Sequence, residues 1–214
     1  MDHRLIAALI RVMADREKWV RLSDPKYRSK IKKQEETIKD ELESIAGDTE
    51  TKESNGSTLY LLHRGMSANE FLTNFKEDIP KEYGVKVDSK NASKYRRNSS
   101  WSTDIQVAFG FAHGNAENPY PGVLVSAWVE EEAIIARLDK EHYHYSEKEK
   151  EVIVGKGVVT KDYTYQRGAS WEEQNASMAI RQYEKILKKE PKNANVKKRV
   201  KYLKDFLKKH GKKR

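Results

Sequence analysis

Apolar residues recur at helical spacing at both ends of the chain. Two stripes of apolar residues run from Asp2 to about Ile45, with an interruption at Asp24-Pro25, and they predict two amphipathic helices. After Trp171 the apolar positions again fall on single helical faces, with a break at Glu190-Pro191 because proline ends a helix. The C-terminal segment is therefore predicted to be a helical hairpin.

The middle of the chain, Thr58–Arg167, has a different pattern. Short apolar runs predict strands at Leu59–Leu62, Val123–Val129, Glu151–Val154 and Val158–Val159. A helix is predicted over Ile105–Ala112, because Thr103 or Asp104 can cap it and its apolar side chains would share one face. Strands mixed with helices in this way predict an α+β core.

This pattern divides the chain into three parts. Residues 1–57 are predicted to be a helical segment and a linker, since Gly47–Ser57 is polar and nearly lacks apolar residues. Residues 58–168 contain the core, and residues 169–214 contain the hairpin. A single helical pair, even one resembling a tetratricopeptide unit, cannot bury its own apolar face, so we expect the hairpin to pack on the core.

Positive charge is concentrated in the hairpin. The chain carries a formal net charge of +9. Fifteen Lys or Arg residues but only three Asp or Glu residues lie between Ala176 and Arg214, a net charge of +12 for this segment, which leaves −3 for the rest. Such a surface attracts acidic proteins or RNA, although a solvated helical face that aids solubility has the same composition.

Composition also bears on the compartment. The chain contains no cysteine, which excludes disulfides, thiolate catalysis and cysteine-ligated metal sites. The opening run Leu5–Ile10 is too short for a membrane span and lacks the cleavage signal of a secretory peptide. We therefore expect a cytoplasmic protein, working in the producing cell or in a host cell, without membrane contact.

Three motifs within the core carry candidate chemistry. The first, Leu61–Gly65, ends a predicted strand with Arg64 and Gly65. Arginine presents a planar fork of donors that matches phosphate oxygens, and glycine lets the backbone approach a ligand closely. Taken alone, the pair also fits a surface arginine that opens a turn.

The second motif, Ser100–Ala112, has hydroxyl residues at a strand end before a helix. Ser100 is followed by Ala108 eight residues later and by Phe111 after three more. A shifted alternative begins at Ser102. An ordinary Ser/Thr cap before a core helix would give part of the same pattern.

The third motif, Ser146–Val154, has glutamates at alternate positions before an apolar strand. Alternate residues of an extended chain point to one side, so Glu149 and Glu151 would project together. Glu147 and Glu149 form a second pair of this kind, and a solvated run of Glu and Lys is the simpler explanation of the alternation. The apolar Val152–Val154 favours Glu151 as the second carboxylate.

Together the motifs, between about Leu59 and Val159, resemble the arginine-serine-glutamate class of mono-ADP-ribosyltransferases. This class includes bacterial toxins and small phage-encoded enzymes that modify host proteins. The resemblance implies a fold of two packed, roughly orthogonal β-sheets flanked by helices. It also implies that the chain uses NAD as co-substrate, transfers ADP-ribose to a protein and releases nicotinamide.

The resemblance assigns roles at the cleaved bond. Glu151 would stabilise the positive charge that develops on the ribose, and Ser100 would orient Glu151 by a hydrogen bond. Arg64 would hold the NAD phosphates, the Gly65 backbone would bind the nicotinamide amide, and Phe111 would pack against the nicotinamide ring.

The resemblance also assigns roles on the acceptor side. Glu149 would position the acceptor, which in members with two such glutamates is typically an arginine. Tyr143 and Tyr145 lie where the class has its substrate-recognition turn. No metal is expected, because His142 and His144 have no apparent third ligand.

Two other functions fit the same sequence. Water could be the main acceptor, which would make the protein an NAD glycohydrolase. Alternatively, the chain is a non-catalytic module that binds nucleic acid or the ribosome through its basic tail. For the enzyme, the tail suggests an acceptor associated with nucleic acid, such as the transcription or translation machinery, with RNA contact through the tail.

Overall fold

The structure, a computed structural model, describes residues 49–91, 99–138, 150–155 and 162–211. Several sequence predictions lie outside these residues, namely the two N-terminal helices, the strand at Val158–Val159, and the candidate residues Tyr143, Tyr145 and Glu149.

The described residues contain one hydrogen-bonded sheet of eight strands. The strands are β1 (Thr51–Ser54), β2 (Ser57–Met66), β3 (Lys86–Ser89), β4 (Ser99–Ser102), β5 (Val123–Glu130), β6 (Ile134–Leu138), β7 (Glu151–Val154) and β8 (Tyr163–Arg167). Their order is β3-β8-β5-β2-β4-β7-β6, and β1 pairs with β2 outside this path. Each neighbouring pair of these strands is antiparallel.

The sheet has a narrow joint between β2 and β4. Strands β2 and β5 share eight registered pairs, from Leu59↔Glu130 to Met66↔Val123. Strands β2 and β4 share only one, His63↔Ser102. The strands therefore fall into two groups, β1-β2-β5-β8-β3 and β4-β7-β6, which separate on either side of this pair.

Helices and a short 3-10 turn complete the described fold. The helices are α1 (Ala68–Phe75), α2 (Ile105–Phe111), α3 (Trp171–Gln174), α4 (Ala176–Lys189) and α5 (Ala194–His210), and the turn is Glu131–Ala133. The α+β prediction is confirmed, as are the strands predicted around Leu59–Leu62, Val123–Val129 and Glu151–Val154 and the helix that begins at Ile105. No helix in the described part of the chain is long and apolar enough to cross a membrane.

The main core lies on the side of the sheet that faces α1. Side chains from both strand groups meet there, including Leu62 and Val125 from one group and Trp101 and Val152 from the other, together with the helix residues Phe71 and Phe75. Alternation along each strand leaves the intervening residues on the other side, where α2 covers part of the sheet. That helix packs Ala108 and Ala112 against Leu124 of β5.

The prediction of a loop or linker over Gly47–Ser57 is wrong for Thr51–Ser54. These residues form β1, an edge strand whose four side chains are all exposed, so no apolar face announces it. Strand β1 pairs with β2 through a two-residue turn, Asn55-Gly56, whose φ angles of 52° and 81° suit the mirror-image turn that joins tight hairpins. The Asn-Gly pair, which is typical of such turns, is the sequence feature that could have predicted this hairpin.

The helical hairpin is confirmed, with Ile180, Val200 and Leu203 buried between α4 and α5. It packs on the core, as expected, through buried Glu173 of α3. The Glu173 carboxylate accepts hydrogen bonds from Arg167, the Ser170 backbone and Tyr202 of α5. Burial by itself raises the pKa of Glu173, but these donors outweigh burial and hold the pKa below its usual value.

Candidate functional site

The candidate residues of the first motif lie at the end of β2, beside the joint between the two strand groups. If β2 and β4 stayed paired beyond His63↔Ser102, their antiparallel register would place Gly65 opposite Ser100. The structure does not form this backbone pair. The two strands diverge here, and the Arg64 guanidinium bridges the widening gap by donating from Nη1 to the Ser100 carbonyl. Arg64 and Ser100 are therefore in contact, as members of one site must be.

Arg64 has a second partner in α1. Its Nη2 donates to Glu70 Oε1 at 2.7 Å, and the two side chains are 18% and 34% exposed. Glu70 also stands at the start of α1, where Ser67 caps the helix by accepting from the Glu70 backbone. An anionic ligand at Arg64 would share or replace Glu70, since carboxylate and phosphate oxygens bind the same guanidinium donors.

Gly65 lies where α2 packs directly against the backbone of β2. A Cβ on Gly65 would lie 2.0 Å from the Ala108 carbonyl oxygen and 2.7 Å from Phe111 Cβ. Only glycine permits this approach. Phe111 lies beside the end of the Arg-Gly motif, and its side chain is 59% exposed.

Glu151 is the first residue of β7, and the strand register places the two serines of the motif differently with respect to it. The register pairs Ser102 with Glu151 and Ser100 with Ile153. Directly opposite residues of antiparallel strands project to the same side and lie about 5 Å apart. The structure thus brings Ser102, the shifted alternative, opposite the carboxylate, whereas Ser100 lies one pleat further along β4 and contacts Arg64 through its carbonyl.

The corner between β4 and α2 is tied to the start of β7. The Thr103 backbone donates to the Lys150 carbonyl at 3.2 Å, and Lys150 Nζ lies 3.6 Å from Asp104 Oδ2. Asp104 caps α2 by accepting from the Gln106 backbone, and this bond lowers the pKa of Asp104. These links hold Ser102 opposite Glu151 at the point where β4 ends and β7 begins.

His63 joins this group, although the sequence reasoning gave it no role. It lies opposite Ser102 on one side of β2 and opposite Ser126 on the other, with Nδ1 2.8 Å from Ser126 Oγ. The side chain is 7% exposed, and burial lowers its pKa from 6.5 to about 4. A neutral imidazole therefore sits beside Ser102 at pH 7. The sequence feature that could have identified His63 is a polar residue directly after the apolar run of a predicted strand.

The motif residues approach the joint from two sides of the sheet. Ser102 and Glu151 lie on the side of His63, while alternation along β2 puts Arg64 on the side of α1. The gap beyond the joint, which the Arg64 side chain bridges, lies at the border between these two sides. Comparison of the chain with protein-family models, with curated proteins and with solved structures finds no match. The residues and their geometry are therefore the whole basis for a function.

Proposed function

We propose that the protein is an NAD-dependent mono-ADP-ribosyltransferase that transfers ADP-ribose to a protein arginine and releases nicotinamide. One observation carries the proposal. The cross-strand register pairs Glu151 with a serine, Ser102, at the same joint where Arg64 bridges β2 to β4. Residues of three motifs that are tens of residues apart thus lie at the same joint, on its two sides.

The chemistry requires a fixed carboxylate. As the bond from the nicotinamide nitrogen to the ribose carbon breaks, nicotinamide leaves as a neutral molecule and positive charge develops on the sugar. A carboxylate held close to that charge stabilises the transition state. In this proposal Glu151 supplies the carboxylate and Ser102, not Ser100, orients it, because Ser102 is the serine opposite Glu151 in the register.

The acceptor then completes the reaction. A guanidinium nitrogen of the acceptor arginine bonds to the ribose carbon and gives up one proton, which balances the charge lost from the nicotinamide ring. Glu149 is the candidate to receive that proton and position the arginine, since it stands two residues before Glu151 in the sequence. If water takes the place of the arginine, the same steps hydrolyse NAD.

Binding of NAD as substrate would use the gap beyond the joint. Arg64 offers its guanidinium to the phosphates in exchange for part of its contact with Glu70, and the Gly65 backbone with exposed Phe111 would hold the nicotinamide end. The division of the strands into two groups over one shared core supports the two-sheet arrangement that the family resemblance implies. The NAD site in the gap and the two-sheet arrangement both belong to this proposal.

Labelled NAD tests the function. The purified protein is incubated with a cell lysate and NAD labelled in the adenylate phosphate, and parallel samples contain NAD labelled in the nicotinamide ring. Transfer predicts that discrete protein bands retain the adenylate label but not the nicotinamide label. Release of nicotinamide without labelled bands would instead identify an NAD glycohydrolase. If neither label changes its distribution, the chain is not an enzyme of this class.

A further inference from the structure

The outward side of the helical hairpin carries two basic stripes that the proposed transferase chemistry does not use. On α5, Lys197, Lys201, Lys204 and Lys208 follow one another at intervals of four, three and four residues. On α4, Arg181, Lys185 and Lys188 follow at intervals of four and three. Because a helix turns once in 3.6 residues, each set forms a single stripe, and the longer one spans about 16 Å.

An ion pair shows that the two stripes border each other. Glu184 of α4 lies between Arg181 and Lys188 on the helix surface, and it accepts a hydrogen bond at 2.8 Å from Lys204 of α5. The stripes therefore meet along the seam between the helices. We call the surface that flanks this ion pair the basic face, and it consists of Arg181, Lys185, Lys188, Lys197, Lys201 and Lys208.

The basic face is directed away from the core. The side of α5 that contacts the core carries Arg199, which bonds Glu172, and Phe206 and His210, whose rings pack against Tyr83 at 5.5 and 5.0 Å. Counted around the helix, these residues lie roughly opposite the stripe of Lys197. The six side chains of the basic face are all exposed, and none forms an ion pair within the described part of the chain.

The composition of the basic face favours phosphates over protein as its partner. Five of its six residues are lysines, which act as point charges toward phosphate, whereas lysine is depleted in protein interfaces and aromatic residues are enriched there. No aromatic side chain interrupts either stripe, so stacking on the unpaired bases of a single strand has no platform. Closely spaced phosphates of a duplex match a surface of regularly spaced cations.

We propose that the basic face binds the phosphate backbone of double-stranded nucleic acid without reading the bases. This surface is separate from the candidate site at the joint of β2 and β4, so the proposal stands or falls independently of the transferase activity. For a transferase, such binding would bring the enzyme to acceptors that are themselves bound to nucleic acid.

Binding is measured by fluorescence anisotropy with labelled duplexes of about 20 base pairs, one DNA and one RNA, between about 50 and 200 mM salt. The test variant changes Lys197, Lys201 and Lys208 to Gln, and a second changes Arg181, Lys185 and Lys188 to Gln. The control changes the exposed Lys52, Lys76 and Lys81 of the core to Gln, which removes the same charge elsewhere. Glutamine has nearly the helix propensity of lysine, so the variants keep their helices.

The unaltered protein should bind at least one duplex with an affinity that falls steeply as salt rises. Each stripe variant should lose at least about tenfold in affinity, and its salt dependence should weaken by about one unit of slope per removed contact, while the control stays within about twofold. Equal binding by stripe and control variants would overturn the proposal. Stronger binding to a single strand or to polyglutamate than to either duplex would overturn it as well.

Discussion

At the scale of single residues, the two serines of β4 differ in what they face. Ser102 is opposite Glu151, and Ser100 is opposite Ile153. Changing Ser102 to Ala should lower the rate of nicotinamide release roughly tenfold to a hundredfold with little change in KM for NAD, because one oriented hydrogen bond is lost in the transition state. The matched change Ser100→Ala should alter the rate less than about threefold. A larger loss from Ser100→Ala in a folded protein would return the role to Ser100.

Buried His63 makes stability depend on acidity. Its pKa is about 4 in the folded protein against 6.5 for an ordinary histidine, so the unfolded chain binds the extra proton first as pH falls. The histidine's contribution is therefore complete above pH 6.5 and is lost as pH falls toward 4. Between pH 7.5 and 4.5 the free energy of unfolding should fall by about 2.5 kcal/mol on account of this residue alone.

Urea unfolding of the wild-type protein and of His63→Asn at both pH values measures this contribution. Asparagine keeps a polar atom near Nδ1 for Ser126 but does not titrate, so the variant should lose about 2.5 kcal/mol less than the wild type over this interval. The other acid-sensitive groups are common to both proteins and cancel in the comparison. Identical pH dependence of the two proteins would contradict a buried, neutral His63.

Sequence reasoning proposed candidate site residues but could not determine how the strands that carry them pair. Arg64 and Gly65 became candidates because they end a predicted strand, and Glu151 because an apolar run follows it. The choice between Ser100 and Ser102 depends on which residue of β7 pairs with which residue of β4. Which residues pair depends on contacts between segments that are far apart in the sequence. The alternation of side chains along one strand is equally compatible with registers that differ by two residues, so it cannot choose between Ser100 and Ser102.

At the scale of secondary-structure elements, the contact between α2 and β2 depends on one glycine. A Cβ at position 65 would meet the backbone oxygen of Ala108, which cannot move without displacing α2. Changing Gly65 to Ala should lower the free energy of unfolding by about 3 kcal/mol, at the upper end of the cost of overpacking. The measurement is denaturant unfolding, with the tightness of NAD binding as a second readout because Phe111 lies on the displaced helix.

Gly110 provides the matched control on the same helix. A Cβ there meets nothing within 4 Å, and alanine is a better helix former than glycine. Gly110→Ala should therefore be neutral or stabilising by up to about 1 kcal/mol. If both alanine variants destabilise equally, the close approach of α2 to β2 is not what requires Gly65.

Elements with a strong apolar period were predictable, and weakly patterned ones were not. Helices α4 and α5 repeat apolar residues over several turns, and β5 is nearly all apolar. Strand β3 has four residues, three of them polar, and takes its place by pairing with β8 rather than by its own pattern. Helix α1 was missed despite its capping serine, Ser67, with Glu70 three residues later.

At the scale of the whole molecule, the hairpin is joined to the core more firmly than its composition indicated. The Tyr83 ring packs against both Phe109 of α2 and Phe206 of α5. Lys209 also pairs with Glu82, and Tyr202 donates to buried Glu173. Charge counting could not reveal these contacts, because it gives the excess of lysines but not which of them face the core. The residues of the basic face are not among those that make these contacts with the core.

The central claim, that Glu151 beside Ser102 cleaves the nicotinamide bond of NAD, is tested most directly by the rate of nicotinamide release from NAD by the purified protein. Glu151→Gln keeps the size of the side chain and removes its charge, so the account predicts measurable release by the wild-type protein and a loss of at least about a hundredfold in the variant. Circular dichroism and urea unfolding confirm that the variant is folded. A folded Glu151→Gln protein that releases nicotinamide at the wild-type rate, or a wild-type protein that releases none, would contradict the account.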